Sequence, residues 1–241
     1  VVLAGGVESM SNVEYYTTAM RWGARMGSVR FHDRLERGRE MSQPEARFGK
    51  IAGMIATAEN VAKECRITRE EADAYALRSQ QRATAAWKDG RFTDEVVAVP
   101  VPQRKGDPVN FDRDEGVRPD ASLEALAKLR PIMKDGIVTA GNASQQNDAA
   151  AACLVVAEDK LAELNLEPMG YLVGWAVAGC HPATMGLGPV PAVKKLFART
   201  GMDWSRIDLV ELNEAFACQV LGVLKGWGWN DPDRLNVNGS G

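Results

Sequence analysis

The run from Ala149 to Ala157 is apolar with almost no alternation. A strand of this kind points apolar side chains at both faces of its sheet, so both faces need cover. That requirement selects a sheet set between helical layers. The surrounding sequence fits it. Val138 to Ser144 reads as a strand feeding a loop of small residues, and a short helix is expected near Lys160 to Leu164. Met169 to Cys180 reads as a strand. Val190 to Thr200 reads as a helix, with Pro191 near its start and Gly201 just past its end. Ile207 to Leu212 is expected to be a strand, and Glu214 to about Lys225 a helix. Strands alternating with helices predict α/β layering.

The first part of the chain breaks that alternation. Val1 to Gly6 has the pattern of a buried strand running into a turn. Residues 15–50 are polar and rich in arginine, with acidic residues interleaved, which suits a solvated face or an oligomer contact. Met54 to Glu64 places Met54, Ala58, Val61 and Ala62 on one helical face. Thr68-Arg69-Glu70-Glu71 is a capping box, opening a helix that runs to about Lys88 and stops at Gly90. Phe92 to Pro102 reads as a strand and Arg104 to Pro108 as a turn. Ser122 caps a short helix through Leu129, which must end before Pro131. Residues 15–136 therefore read as an insertion.

Composition narrows the function. Lys plus Arg is 29 and Asp plus Glu is 32 in 241 residues, a net charge of −3. That balance gives no reason to expect a nucleic-acid partner. No stretch is apolar enough to span a membrane. Cys65, Cys153, Cys180 and Cys218 lack C-x-x-C spacing and read as reduced, mostly buried thiols of a cytosolic-type compartment. With His32 and His181 the only histidines, no metal site is expected. The chain begins inside a strand pattern without Met and stops in a Gly-rich turn at Gly241. It reads as an internal piece of a longer protein, so a targeting segment is unreadable. Such a piece is expected to expose apolar surface.

Several short segments could carry chemistry. Cys180-His181 would point to opposite faces of a strand, which suits a structural role. Cys218 lies early in a helix, where a thiol pKa can fall, but only apolar neighbours surround it. Asn213-Glu214-Ala215-Phe216-Ala217 sits where a strand meets a helix, the edge at which α/β sheets gather ligands. There Asn213 can donate to a developing oxyanion, directly or through a held water. Equally, Asn213 or Glu214 can simply cap the helix. Thr139 to Ser144 either admits a ligand close to the backbone or packs as a tight loop. Met185-Gly186-Leu187-Gly188-Pro189 either presents amides to an anion or forms a structural turn.

Taken in order, these motifs resemble the thiolases, the acetyl-CoA acetyltransferases and 3-ketoacyl-CoA thiolases. The resemblance runs through Ala4 to Ser11, Thr57 to Ala62, Asp89 to Phe92 and Ala127 to Pro131. It continues through Val138 to Ser144, Met185 to Pro189, Asn213 to Ala217 and Asn236 to Gly239. It implies two related βαβαβαββ halves packed in five layers, with an α/β loop domain inserted in the first. Both halves would be incomplete here. Residues 1–167 would be the later part of the N-terminal domain, with the loop domain at about 15–136. Residues 168–241 would open the C-terminal domain.

The resemblance also implies a reaction. A 3-ketoacyl-CoA is cleaved by coenzyme A to acetyl-CoA and a shortened acyl-CoA, or acetyl-CoA units condense in reverse. A nucleophilic Cys takes the acyl group, a His activates it, and a second Cys moves the proton at the acetyl α-carbon. All three would lie outside this chain. Asn213 would hold the oxyanion-hole water, with Ala215 and Phe216 lining the pocket. For coenzyme A and substrate, Arg118 would lie near the adenine and phosphate end, and Ser144 would meet the pantetheine. Met133 stands where an aromatic often packs on the adenine. Ala140 and Met185 would line the pocket, and Met54 would sit near the acyl group. Coenzyme A and acyl-CoA would be substrates rather than permanent cofactors, and the full protein a homodimer or homotetramer. Gly53 replaces a His frequent in short-chain biosynthetic members, and Gln145-Gln146 follow the serine where Gly is usual. Both changes favour a general 3-ketoacyl-CoA enzyme. The competing reading is a non-catalytic relative that holds acyl-CoA or lipid.

Overall fold

The structure, a computed structural model, describes residues 1–51 and 53–240; Gly241, the end of the expected Gly-rich turn, lies outside them. In chain order the elements are strand β1 (Val2–Glu8), strands β2 (Tyr15–Tyr16) and β3 (His32–Asp33), and helices α1 (Arg34–Glu40), α2 (Glu45–Phe48), α3 (Gly53–Cys65) and α4 (Arg69–Lys88). Strands β4 (Val99–Val101) and β5 (Val109–Phe111) and helix α5 (Leu123–Ala127) follow. Strand β6 (Ala149–Val155) and helices α6 (Leu161–Leu164), α7 (Pro189–Thr200) and α8 (Ala217–Trp227) complete the order. Three antiparallel pairs form: β1 with β6, β2 with β3, and β4 with β5.

The helices follow the sequence closely. The Thr68 hydroxyl accepts from the Glu71 amide at 3.2 Å while the Glu71 carboxylate accepts from the Thr68 amide at 2.7 Å, the expected capping box. Ser122 caps α5 by accepting from the Ala125 amide, and Gly201 closes α7. The core lies where α3, α4 and α8 meet. Ala58, Val61 and Ala62 of α3, Ala72 and Tyr75 of α4, and Val220 and Val223 of α8 are buried there, with Val138 and Leu235 from flanking loops. Gly222 sets the α3–α8 distance, since a Cβ there would fall 2.7 Å from a Val61 methyl.

The expected strands depart further. β6 does form, along the register Val2↔Val155 to Glu8↔Ala149, but all seven of its residues are exposed rather than covered on both faces. The reason is direct: β1 and β6 make a two-stranded ribbon that, among the described residues, no helix covers. The 169–180 strand does not form, because among the described residues no strand answers its backbone. Instead the Trp175 and Val177 carbonyls accept from Arg199 and Lys195 of α7. Phe92–Pro102 is reduced to β4, since the Glu95 and Val96 amides turn back to the Phe92 carbonyl.

Two further strands give way to side-chain bonding. Across 207–212 only Val210 bridges, to Leu235, and the Leu212 backbone is taken up by the Asn236 side chain. At 138–144 the Ile137 and Val138 amides donate to Glu59, and Asn142 folds back on Thr139. Helix α8 starts at Ala217 rather than Glu214. Nor are the thiols mostly buried: Cys153 and Cys180 lie on the uncovered segments and are exposed, Cys65 is half-buried, and only Cys218 is buried.

Candidate active site

Helix α4 organises the region around Asn213. Its polar residues fall at helical spacing along faces turned inward. Arg69 pairs with Asp73 at 2.7 Å and donates to the Leu126 and Leu129 carbonyls. Asp73 accepts from the Asn142 amide group at 2.9 Å, which fixes the 139–142 loop. Further along the helix, the Tyr75 hydroxyl donates to Glu214 Oε1 at 2.7 Å, and the Ser79 hydroxyl donates to Glu214 Oε2. Arg82 donates to the Leu235 carbonyl at 2.5 Å. Burial and the Glu214 carboxylate beside it push the Tyr75 phenol above its ordinary range.

This settles how the 213–217 segment starts its helix. Neither Asn213 nor Glu214 caps α8. Phe216 is the extended N-cap residue, and the Ala217 amide donates to the Asn142 carbonyl at 2.9 Å. Glu214 is buried at 6% exposure, whereas Asn213 is exposed. Among the described residues no hydrogen bond uses the Asn213 side chain, so its amide is left to meet a ligand or water.

The 213–216 and 140–144 loops come together. The Ser144 amide donates to the Ala215 carbonyl at 3.0 Å, and Ala143 bridges to Phe216. Four expected site residues, Asn213, Ala215, Phe216 and Ser144, are thus brought into one locus, with Ala140 exposed on the same loop. The 139–142 turn itself is tightly packed, which favours the structural reading for that part. Met185 is 46% exposed in the turn Pro182–Leu187, which the Gln219 side chain of α8 holds by donating to the Gly186 carbonyl. That turn spends its Gly188 amide on the Met185 carbonyl at 2.9 Å, which favours the structural reading.

Other expected residues stand apart. Met54 is half-buried in the first turn of α3. Arg118 is exposed, its amide held by Gln80 of α4 at 2.7 Å. Met133 lines a cavity of about 350 Å³ together with Glu59, Lys63 and Arg66. A wider groove of about 680 Å³ runs past Asn60, Lys63 and His181. Neither concavity is lined by Asn213, Ala215 or Phe216.

The cysteines offer no nucleophile at this locus. The Cys218 thiol lies against the Ala58 carbonyl at 3.5 Å, and burial pushes it up to about 12 despite the helix start. Burial also raises Cys65. Cys180 and His181 form no dyad: the sulfur faces the Met185 carbonyl, and His181 Nδ1 accepts from the Ala183 amide at 3.2 Å. Sequence reasoning missed Tyr75, Ser79, Glu59, Asp73, Asn142 and Asn236 as organisers. The one local sign was a polar stripe at 75, 79 and 82 on a helix that is otherwise apolar on that side.

The profile of the thiolase N-terminal domain matches residues 1–159, and that of the thiolase C-terminal domain matches residues 166–241. An acetyl-CoA acetyltransferase of Chromobacterium violaceum is 49% identical over 240 residues, covering 99% of this chain and 60% of its own length. A beta-ketothiolase of Cupriavidus necator is 46% identical over 243 residues, covering 100% of this chain and 60% of its own. The crystal structure of the Bacillus anthracis acetyl-CoA acetyltransferase superposes with a TM-score of 0.90 at 42% identity, covering 99% of this chain and 59% of that one. Human mitochondrial 3-ketoacyl-CoA thiolase in complex with CoA superposes with a TM-score of 0.88 at 41% identity, over 99% and 58% of the two chains. The chain spans about 60% of the length of the curated relatives it matches.

Proposed function

The chain belongs to the thiolase family and carries its layered α/β fold, and on that premise we propose that the protein it represents is a thiolase-type acyltransferase. It cleaves a 3-ketoacyl-CoA with coenzyme A, or runs the reverse condensation of acetyl-CoA. The observation that carries this reading is the meeting of the Asn213–Phe216 loop with Ser144, joined by the 3.0 Å bond from the Ser144 amide to the Ala215 carbonyl. That backbone contact supports the reading by setting the loop of Asn213, the proposed oxyanion-hole group, beside Ser144, the proposed pantetheine contact. Asn213 holds the water that stabilises the acetyl-CoA enolate as the bond between the α-carbon and the keto carbon breaks. The acyl group passes to a cysteine outside these 241 residues and then to coenzyme A.

Residues 15–136 serve as the loop domain, with Arg118 and Met133 toward the adenine end and Met54 toward the acyl group. The second domain begins at 168. Gly53 carries no side chain where short-chain biosynthetic members often have a His, which favours a general 3-ketoacyl-CoA enzyme. The arginine-rich 20–50 stretch supplies contacts of a homodimer or homotetramer, in a reduced, cytoplasmic compartment. The test is coenzyme A-dependent cleavage by the full-length protein of acetoacetyl-CoA and of a six-carbon 3-ketoacyl-CoA. Cleavage of both, with the longer substrate at least as good, is expected. Absence of any cleavage would sink the assignment.

A further inference from the structure

Asn213 lies between two residues that are both held from inside the molecule. On one side, Asn236 grips the Leu212 peptide twice: its Oδ1 accepts from the Leu212 amide at 2.7 Å, and its Nδ2 donates to the Leu212 carbonyl at 2.8 Å. On the other side is Glu214, whose Oε1 accepts from Asn236 Nδ2 at 2.8 Å and from the Tyr75 hydroxyl at 2.7 Å, and whose Oε2 accepts from Ser79. Asn236 is 1% exposed and sits at φ +45°, a conformation Asn tolerates better than most residues. Three polar side chains from two separate parts of the chain, Tyr75 and Ser79 of α4 and Asn236 near the chain's end, therefore converge on one buried carboxylate.

Holding a carboxylate in the interior is costly, and well-packed apolar groups would fill the same space at lower desolvation cost. Directional bonds do what apolar packing cannot: they fix the angle of a short peptide segment. We propose that Glu214 is a positioning residue for Asn213, its carboxylate linking Asn236 to helix α4 so that the peptide on both sides of Asn213 is held still. The proposal rests on the reading of Asn213 as the oxyanion-hole group. Tyr75 and Ser79 then tie the rigidity of α4, itself anchored by its capping box, to the reacting end of the site.

The experiment uses the full-length protein in the thiolysis assay, with Glu214→Ala, Asn213→Ala, the double variant and Glu214→Gln. Glu214→Ala is expected to lower kcat about 10- to 100-fold, the cost of misplacing a reacting group by an ångström or so, with KM within about twofold. In the Asn213→Ala background the same change should alter kcat by about twofold or less, because its route to the chemistry is already gone. Gln should restore most of kcat, since its carbonyl can accept from Asn236 and its amide can donate to the Ser79 hydroxyl. An equal loss in both backgrounds, or a raised KM with unchanged kcat, would overturn the proposal. Should Glu214→Ala fail to fold, the Tyr75→Phe, Ser79→Ala pair replaces it with the same expected pattern. If the wild-type protein cleaves nothing, the function reading has failed, and amide exchange decides the positioning. Exchange that quickens over 211–215 in the Tyr75→Phe, Ser79→Ala pair supports it, and unchanged exchange there overturns it.

Discussion

The α3–α4–α8 region and the β1–β6 ribbon both carry many apolar residues and reach opposite outcomes. In the first, Val61, Val138, Val220, Val223 and Leu235 are fully buried, and buried Glu214, Asn142 and Asn236 all find hydrogen-bond partners. In the second, Leu3, Leu154 and Val155 stand in the open, as do Leu172 and Trp175 of the 169–180 segment. An apolar pattern specifies that a face must be covered, and the cover has to come from elsewhere. The loops that bear Asn213 and Ser144 adjoin the first region, and bonds from α4 and from Asn236 set their geometry.

The contrast can be broken most forcefully by core truncation. In the 241-residue chain, Leu235→Ala removes a side chain of 0% exposure and is expected to cost about 2–5 kcal/mol by urea unfolding. Leu154→Ala, at 61% exposure, should change the unfolding free energy by about 0.5 kcal/mol or less. Equal costs would mean that the ribbon is packed after all. Thiol chemistry sharpens the same contrast with a smaller effect. Mild alkylation at slightly alkaline pH should label exposed Cys153 and Cys180 and spare Cys218, whose thiol burial pushes up to about 12. Since that group is raised above the ordinary thiol value of 9.0, stability should fall as pH rises from about 9 toward 12, where the unfolded chain sheds the proton first. Labelling of Cys218 ahead of Cys153 would contradict the placement of the core.

What could be read from sequence divides along the same line. The capping box at Thr68, the α7 stop at Gly201 and the Ser122 cap are local codes, each written within a few residues, and each is found in place. The expected strands at 138–144, 169–180 and 207–212 depended on distant partners. Asn236, 24 residues on, occupies the Leu212 backbone, and Glu59, 78 residues back, takes the Ile137 amide. No periodicity announces such bonds. At the site, the motif around Asn213 was legible, while the structural task of Glu214 was not, because its partners Tyr75 and Ser79 lie 139 and 135 residues away. Apolar neighbours in sequence do not amount to burial in space, and so Cys153 and Cys180 lie exposed while Cys218 is buried.

The central claim is that Asn213 serves a thiolase reaction from a loop held by α4. Its most direct test is the steady-state thiolysis of a 3-ketoacyl-CoA by the full-length protein and its Asn213→Ala variant. The account expects coenzyme A-dependent cleavage whose kcat falls about 100-fold or more in the variant, the size seen when one oxyanion-hole donor is lost, with KM little changed. A variant that turns over at the wild-type rate would contradict it.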